Sequence, residues 1–398
     1  MGPQNQMINV RKKKIAYIFN HAIFLGGGEI SFFELIRCID KARTDPLAIV
    51  PAAGSVADKL ELLGVQVRIC PFAPLKFGGS AKVLATLLNL IRILRKFRID
   101  LIHANGSRVG LYAGLAGRIL GIPVLWHVRE ALCDHYLYDG LLGRLASAIV
   151  CVSTGAKLKR FNRFNAGIRR KIAVVYNGID TVQFKIDAER RSAAREKYGF
   201  KPNEIVFGLV GNLIARKRQD FFIRGLAVAR SRQPAAALKG LLIGHRPDAN
   251  YSAALLALIK ELNLDQNVVC CDYAPAVIDV YAALDVFVLP SRSEGLSRAL
   301  LEAMSCGLPV IVSNIAEMTE AVAELKNGIL VDWDDVDELA AAMLRFAADD
   351  RRRRRVGRTN RATIKRRFGL SAHVAEIESI YAKFIKDKDA GLHGPASA

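Results

Sequence analysis

Val286-Phe-Val-Leu-Pro-Ser-Arg-Ser-Glu-Gly-Leu-Ser-Arg-Ala-Leu-Leu-Glu302 holds a strand, a loop and a helix start in one short stretch. The apolar run stops at Pro290, polar residues follow, and a helical pattern opens near Gly295 and continues through Ala303 and Met304. In an open parallel sheet, ligands sit beyond the carboxyl ends of the strands, where helix N-termini present free N–H groups and partial positive charge. The segment Glu294 to Ser297 is therefore a natural phosphate seat. Glu294 and Glu302 are separated by about 12 Å along a helix at ~1.5 Å per residue, close to the span from the ribose of a nucleotide sugar to its hexose. A carboxylate at each end would accept sugar hydroxyls while the helix start holds the diphosphate. Spacing alone equally allows an acidic helix start followed by a surface glutamate.

Outward from this stretch the same grammar repeats. Strand candidates lie at 14–20, 47–52, 65–70, 101–106, 124–128, 149–153 and 173–177, then at 206–211, 240–244, 268–273, 286–290, 309–313 and 328–332. They are continuously apolar rather than alternating, as strands covered on both faces by helices must be. Alternation with helices predicts two doubly wound, Rossmann-like parallel sheets facing a cleft, with a charged break near 178–204. The expected division is a first domain over 1–180, a second over 181–372, and a tail over 373–398 with a helical segment.

The 398 residues carry 58 Lys+Arg against 38 Asp+Glu, net +20, enough to attract an anionic partner. Most of this lies in residues 1–180, with 26 basic and 11 acidic side chains. Lys76 to Arg98 reads mainly as an amphipathic helix with a cationic end, so an anionic membrane surface is an expected partner, though the pattern equally suits a helix docked on the sheet. Nucleic acid is a poor reading, because no reading motif or aromatic platform accompanies the charge. Seven cysteines without C-x-x-C spacing suggest reduced thiols and no zinc site. Without a secretory h-region or a long apolar run, the expectation is a cytoplasmic protein, peripheral on the inner membrane face at most.

Three further segments bear on the site. Gly208 to Asp220 ends a strand at Gly211 and opens the next helix with Arg216, Lys217 and Arg218; cations there oppose the helix dipole unless an anion lies between them. The triplet Gly26-Gly27-Gly28 lets a ligand approach the backbone, but it is not G-x-G-x-x-G and no P-loop occurs, which argues against a nicotinamide cofactor. His103 and His127 end apolar strands on the same rim, as structural residues or as substrate contacts. Asp332-Trp-Asp334 looks like a D-x-D metal site, but it precedes a helix where Asp is an ordinary N-cap, so no metal is expected.

Residues 290–332 resemble glycosyltransferase family 4, the retaining group with the two-Rossmann GT-B architecture. The matching stretches are Pro290-Ser291, Glu294-Gly295, Glu302-Ala303-Met304, Gly307-Leu-Pro309-Val310, Glu320 and Asn327-Gly-Ile-Leu-Val331. Supporting matches are Gly27-Gly28-Glu29, Val175-Tyr-Asn-Gly-Ile-Asp180 and Gly211 with Lys217. The resemblance implies that Glu294 contacts the donor sugar and Glu302 the ribose hydroxyls. It gives Gly27, Gly28, Gly295, Leu296, Ser297 and Lys217 to donor binding, Tyr273 to the base-binding loop, and His127 to a position near the transferred sugar. Asn212 stands where the family usually has Arg, leaving Arg216 or Arg292 as substitute cations. It further implies that the domain over 1–180 binds the acceptor, that over 181–372 the nucleotide sugar, and that the helix in 373–398 packs back on the first. The reaction it implies is retaining, metal-independent hexosyl transfer from a UDP-, GDP- or ADP-sugar to a lipid-linked or cell-surface saccharide. An isomerase, a phosphorylase or a non-catalytic sugar-nucleotide binder on the same fold are the alternatives.

Overall fold

A computed structural model describes residues 11–74, 80–129, 136–272, 276–322 and 326–385. The first half contains β1 (Lys13–Ile18), α1 (Gly27–Cys38), β2 (Thr44–Val50), α2 (Ser55–Leu62), β3 (Gln66–Ile69), α3 (Ser80–Phe97), β4 (Leu101–Asn105) and α4 (Ser107–Leu120). It continues through β5 (Val124–Val128), α5 (Tyr136–Leu145), β6 (Ala148–Cys151), α6 (Thr154–Phe161), α7 (Ala166–Arg169) and β7 (Ile172–Val174). The strands pair in parallel in the order β3-β2-β1-β4-β5-β6-β7.

The second half begins with α8 (Ala188–Lys197), β8 (Ile205–Val210), α9 (Gln219–Arg232), β9 (Leu238–Ile243), α10 (Ala249–Glu261) and β10 (Val268–Cys271). Next come α11 (Val277–Ala283), β11 (Val286–Leu289), α12 (Arg298–Ser305), β12 (Val310–Ser313), α13 (Ala316–Thr319) and β13 (Ile329–Val331). Three helices close the chain: α14 (Val336–Ala347), α15 (Asp350–Arg367) and α16 (Leu370–Phe384). Its parallel sheet runs β10-β9-β8-β11-β12-β13. The two Rossmann-like sheets are those the apolar runs predict.

Alternation along each strand feeds two cores. Ile15, Tyr17 and Phe19 pack with α1, α2 and α16, while Ala16 and Ile18 pack with α3 and α4 on the opposite face. Both faces are dry, which is why β1, β4 and β5 read as unbroken apolar runs. The chain returns to the first sheet through α16: Ile179 N–H donates to Phe368 O at 2.8 Å and Leu370 N–H to Ile179 O at 3.0 Å. Val374, Ile377 and Tyr381 then join the Phe32 cluster.

Two local differences from the sequence reading have simple causes. Helix α12 starts at Arg298, not near Gly295, because the Ser297 hydroxyl caps it by accepting from Leu300 N–H. At α14 the cap is Asp335, whose carboxylate accepts from Glu338 N–H at 2.9 Å; neither Asp332 nor Asp334 fills that role. Helix α3 buries Leu90 and Leu94 in the sheet core, yet leaves Leu84 and Leu88 about half exposed. None of the described helices is long and apolar enough to cross a membrane.

Candidate active site

In each sheet the strand order reverses beside the first strand, between β1 and β4 and between β8 and β11. The carboxyl ends at such reversals splay apart and leave a crevice. The two crevices open into one cleft of about 540 Å³, lined on one side by the loops after β1 and β4 and on the other by those after β8 and β11. Of the residues singled out above, Gly27, Gly28, Arg216, Lys217, Glu294, Gly295, Leu296, Ser297 and Glu302 line it. Tyr273 lies outside the described residues, as do Lys76 to Gly79 and the last residues of the tail.

Glu294 is buried against two cations. Its Oε1 accepts from Lys217 Nζ at 2.5 Å, and Arg216 lies 3.5 Å from Oε2. Burial alone would raise its pKa, but the Lys217 and Arg216 charges outweigh it and hold the carboxyl below its ordinary value. Arg216 also donates to Ser293 O at 2.6 Å, tying the segment after β8 to the loop after β11. Arg218 turns away, bonding Asp220 and Trp333 O, so the three consecutive cations do not act as one cluster.

Glu302 stands on the second turn of α12, with Tyr281 Oη donating to Oε2 at 2.8 Å and Arg298 Nε 2.6 Å from Oε1. Burial raises its pKa in spite of Arg298 and Tyr281. Gly295 is required for close approach: a Cβ there would come within 2.2 Å of the Arg129 carbonyl oxygen. The Gly295 and Leu296 carbonyls accept from Ser153 Oγ at 2.9 Å and Asn177 Nδ2 at 3.1 Å, so residues of the N-terminal half hold this loop.

Of the two expected substitutes for Asn212, Arg216 lines the cleft beside Glu294 and Arg292 does not. Arg216 bonds Glu294 and Ser293, and the Arg292 guanidinium lies 4.9 Å from the centre of the Trp333 ring and is not among the cleft-lining side chains. Asn212 itself bridges the halves, donating to Leu25 O at 3.1 Å.

His127 requires correction as a substrate contact. It is fully buried, does not line the cleft, and its Nδ1 is 3.0 Å from His103 Nε2 in a stacked pair whose other end meets Tyr381 Oη at 2.6 Å. Burial, reinforced by the Arg129 charge, keeps both imidazoles neutral with lowered pKa values. The strand period of two explains the misplacement: Arg129 follows His127 on the same face but beyond the strand end, so Arg129 reaches the cleft wall.

Sequence reading passed over Arg129, Asn105, Asn177 and Arg298. Asn177 lay inside the quoted junction segment and Arg298 inside the quoted stretch 286–302; Asn105 and Arg129 carried no spacing signal. Arg298 lies behind Gly27, its Cβ 3.0 Å from where a Gly27 Cβ would stand, and donates to Gly178 O at 3.3 Å. Glu320, at the far side of the seam, accepts from Thr154 and Gly155 N–H at 2.9 and 2.7 Å, a carboxylate from one half at the N-terminus of α6 in the other.

Residues 25–183 match the family model described as Glycosyltransferase Family 4, and residues 204–349 match that for glycosyl transferases group 1. The chain is 25% identical over 321 residues to the UDP-Gal:alpha-D-GlcNAc-diphosphoundecaprenol alpha-1,3-galactosyltransferase of Escherichia coli, covering 77% of this chain and 81% of that one. It is 34% identical over 189 residues to a GDP-mannose-dependent phosphatidylinositol monomannoside mannosyltransferase of Mycolicibacterium smegmatis, covering 45% and 48%. In fold it is similar to Anabaena HepE, solved with UDP and glucose, at TM-score 0.82 and 22% identity over 93% of this chain and 100% of that one.

Proposed function

The chain belongs to glycosyltransferase family 4 and has the GT-B architecture, and from that membership we propose that it transfers a hexosyl unit, with retention and without a metal, from a nucleoside-diphosphate sugar to a saccharide acceptor. One observation carries the reading: Lys217, Glu294 and Glu302 converge on a cleft formed by two facing strand-order reversals. Breaking the anomeric C–O bond leaves negative charge on the departing diphosphate and oxocarbenium character on the sugar. The Lys217 ammonium and the amide dipoles of residues 295–298 supply fixed positive charge for the first, with no reorganisation at the moment of reaction.

Before the donor enters, Glu294 holds Lys217 in place. The diphosphate takes over the lysine, and the freed Glu294 carboxylate accepts hydroxyls of the transferred sugar. Glu302, already oriented by Tyr281 and Arg298, accepts from the ribose. The acceptor hydroxyl attacks from the face the diphosphate leaves, and its proton passes to the leaving phosphate oxygen. Double displacement would need a nucleophilic carboxylate about 5 Å from a second carboxyl; the two buried glutamates are instead committed at opposite ends of the donor.

The acceptor class we assign is a lipid-linked or cell-surface saccharide, with the enzyme cytoplasmic and resting on the membrane. The E. coli relative acts on a diphosphoundecaprenol-linked sugar, and α3 leaves Leu84, Leu88, Arg92, Arg95 and Lys96 exposed. Liposome co-sedimentation at low salt tests this: binding to anionic vesicles falls several-fold in Leu84→Asp/Leu88→Asp, while unaltered binding removes the membrane claim. A thermal-shift panel of UDP-, GDP- and ADP-sugars with and without EDTA tests the donor reading. One nucleotide class raises the melting temperature regardless of chelator. Donor conversion without any acceptor would instead indicate an isomerase.

A further inference from the structure

The loops that meet across the cleft belong to different halves of the chain, and one side chain touches the supports of both. Arg129 follows β5. Its Nε donates to Asn105 Oδ1 at 2.7 Å and its Nη1 to Asn177 Oδ1 at 2.8 Å. Each asparagine passes the contact on through its amide nitrogen. Asn105 Nδ2 reaches Gly28 O in a long 3.5 Å bond, and Asn177 Nδ2 reaches Leu296 O at 3.1 Å. The Arg129 carbonyl presses on Gly295, and its side-chain Cγ lies 3.6 Å from where a Gly28 Cβ would stand.

A guanidinium whose hydrogen bonds go to two neutral amides, with the Glu29 charge acting on it but its Nη2 buried and unpartnered, is a costly way to fill space. A hydrophobic side chain would pack there at less cost. What only arginine offers is a planar fork that fixes two acceptors in a set relation.

We propose that Arg129 is a positioning residue that sets the register between the glycine loop of the N-terminal half and the donor loop of the C-terminal half. The inference rests on transfer across this cleft as described above. Donor binding is expected to rest mainly on Lys217, Glu294 and Glu302, whose ion pairs form within the C-terminal half and do not involve Arg129, so that looser support of residues 295–299 changes it little. Attack by the acceptor depends on the register, and a displacement of about 1 Å is enough to lower a rate ~10²-fold.

The test uses Arg129→Lys and Asn177→Ala in the full chain, with the sugar nucleotide that the thermal-shift panel selects. In Arg129→Lys, kcat falls roughly 10²-fold while donor Kd, by calorimetry, stays within about twofold. Asn177→Ala, which removes one strut, falls in between. Native-state hydrogen exchange without ligand gives a second reading: in Arg129→Lys, amides of both 27–30 and 295–299 exchange faster, since both loops lose one support. Wild-type kcat in Arg129→Lys, a donor Kd that rises in step with the loss of kcat, or faster exchange confined to one loop each overturns the proposal. A wild-type protein that binds no sugar nucleotide overturns the functional reading instead, and the exchange experiment still decides whether Arg129 couples the two loops. If Arg129→Lys does not fold, Asn177→Ala decides both readouts.

Discussion

On the C-terminal wall of the cleft, positive side chains face carboxylates: Lys217 and Arg216 meet Glu294, and Arg298 meets Glu302. On the N-terminal wall Arg129 and Arg108 are held by asparagine oxygens, Arg108 through Asn20 Oδ1 at 3.1 Å and Asn20 O at 2.6 Å. Arg160, bidentate with Asp139, is the paired exception on that side. Both walls rest on the same sheet topology, so the contrast comes from the loops alone. On the proposed reading, a donor displaces an internal carboxylate from its cation, whereas an acceptor carrying negative charge meets cations whose hydrogen bonds go to asparagine oxygens, with the Glu29 charge acting on Arg129.

The largest effect expected from breaking the paired wall is at Lys217. Lys217→Met removes the cation that, on the proposed reading, faces the departing diphosphate, and turnover falls about 10²–10³-fold, the loss typical of one preorganised donor. It also leaves Glu294 buried with only the more distant Arg216, at a stability cost of about 3 kcal/mol. Steady-state rates and a urea titration separate the two. Unchanged turnover in a folded Lys217→Met protein would end the electrostatic account of this wall.

The same contrast explains what the sequence made legible. The C-terminal wall is local: Pro290, Glu294, Gly295 and Glu302 sit on one strand–loop–helix unit, and Lys217 follows the neighbouring strand, so spacing was enough to assemble them. Even there, the Ser297 cap moved the helix start by three residues, from Gly295 to Arg298. The N-terminal wall draws on Asn20, Gly28, Asn105, Arg129 and Asn177, which come together only through tertiary structure. An asparagine in a loop has no pattern, and Arg129 was hidden behind His127, whose place at a strand end gave the more familiar signal. Continuous apolar strands made the fold readable throughout, because burial on both faces leaves a mark at every position.

Two substitutions of intermediate effect sharpen the division of labour. If Glu302 accepts the ribose hydroxyls as proposed, Glu302→Gln removes that charge and raises donor Kd about tenfold, as for a lost hydrogen bond to a charged group. Arg108→Ala leaves donor Kd unchanged and raises the KM for an anionic acceptor several-fold, an effect that shrinks as salt is added. Calorimetry with the donor and initial rates against acceptor concentration give both numbers. If Arg108→Ala weakened the donor instead, the two walls would not differ in the way their partners indicate.

A last effect concerns pH, and it separates the halves by stability rather than by turnover. His103, His127 and His373 are buried and neutral, their pKa values lowered first by desolvation and then by Arg129; that of His373 is lowered to about 4. The unfolded chain binds protons on these rings below about pH 6.5, whereas the folded chain does not until each lowered pKa is reached. Stability contributed by neutral burial is therefore complete above pH 6.5 and is lost as pH falls, by up to about 1.4 kcal/mol per pH unit for each ring. Glu294 has the same sign in a lower window, since its depressed pKa removes stability only below the ordinary glutamate range of about 4.3. Between pH 6.5 and 5 the loss belongs to the histidines. Two of them lie in β4 and β5, and the third, on α16, donates from Nδ1 to Tyr176 O at 2.6 Å. Hydrogen exchange at pH 5 should thus show protection falling in the N-terminal sheet and α16 before the C-terminal sheet, and His373→Gln should reduce the slope. Equal loss in both sheets, or a melting temperature unchanged from pH 7 to 5, would mean that acid acts on groups other than this buried trio.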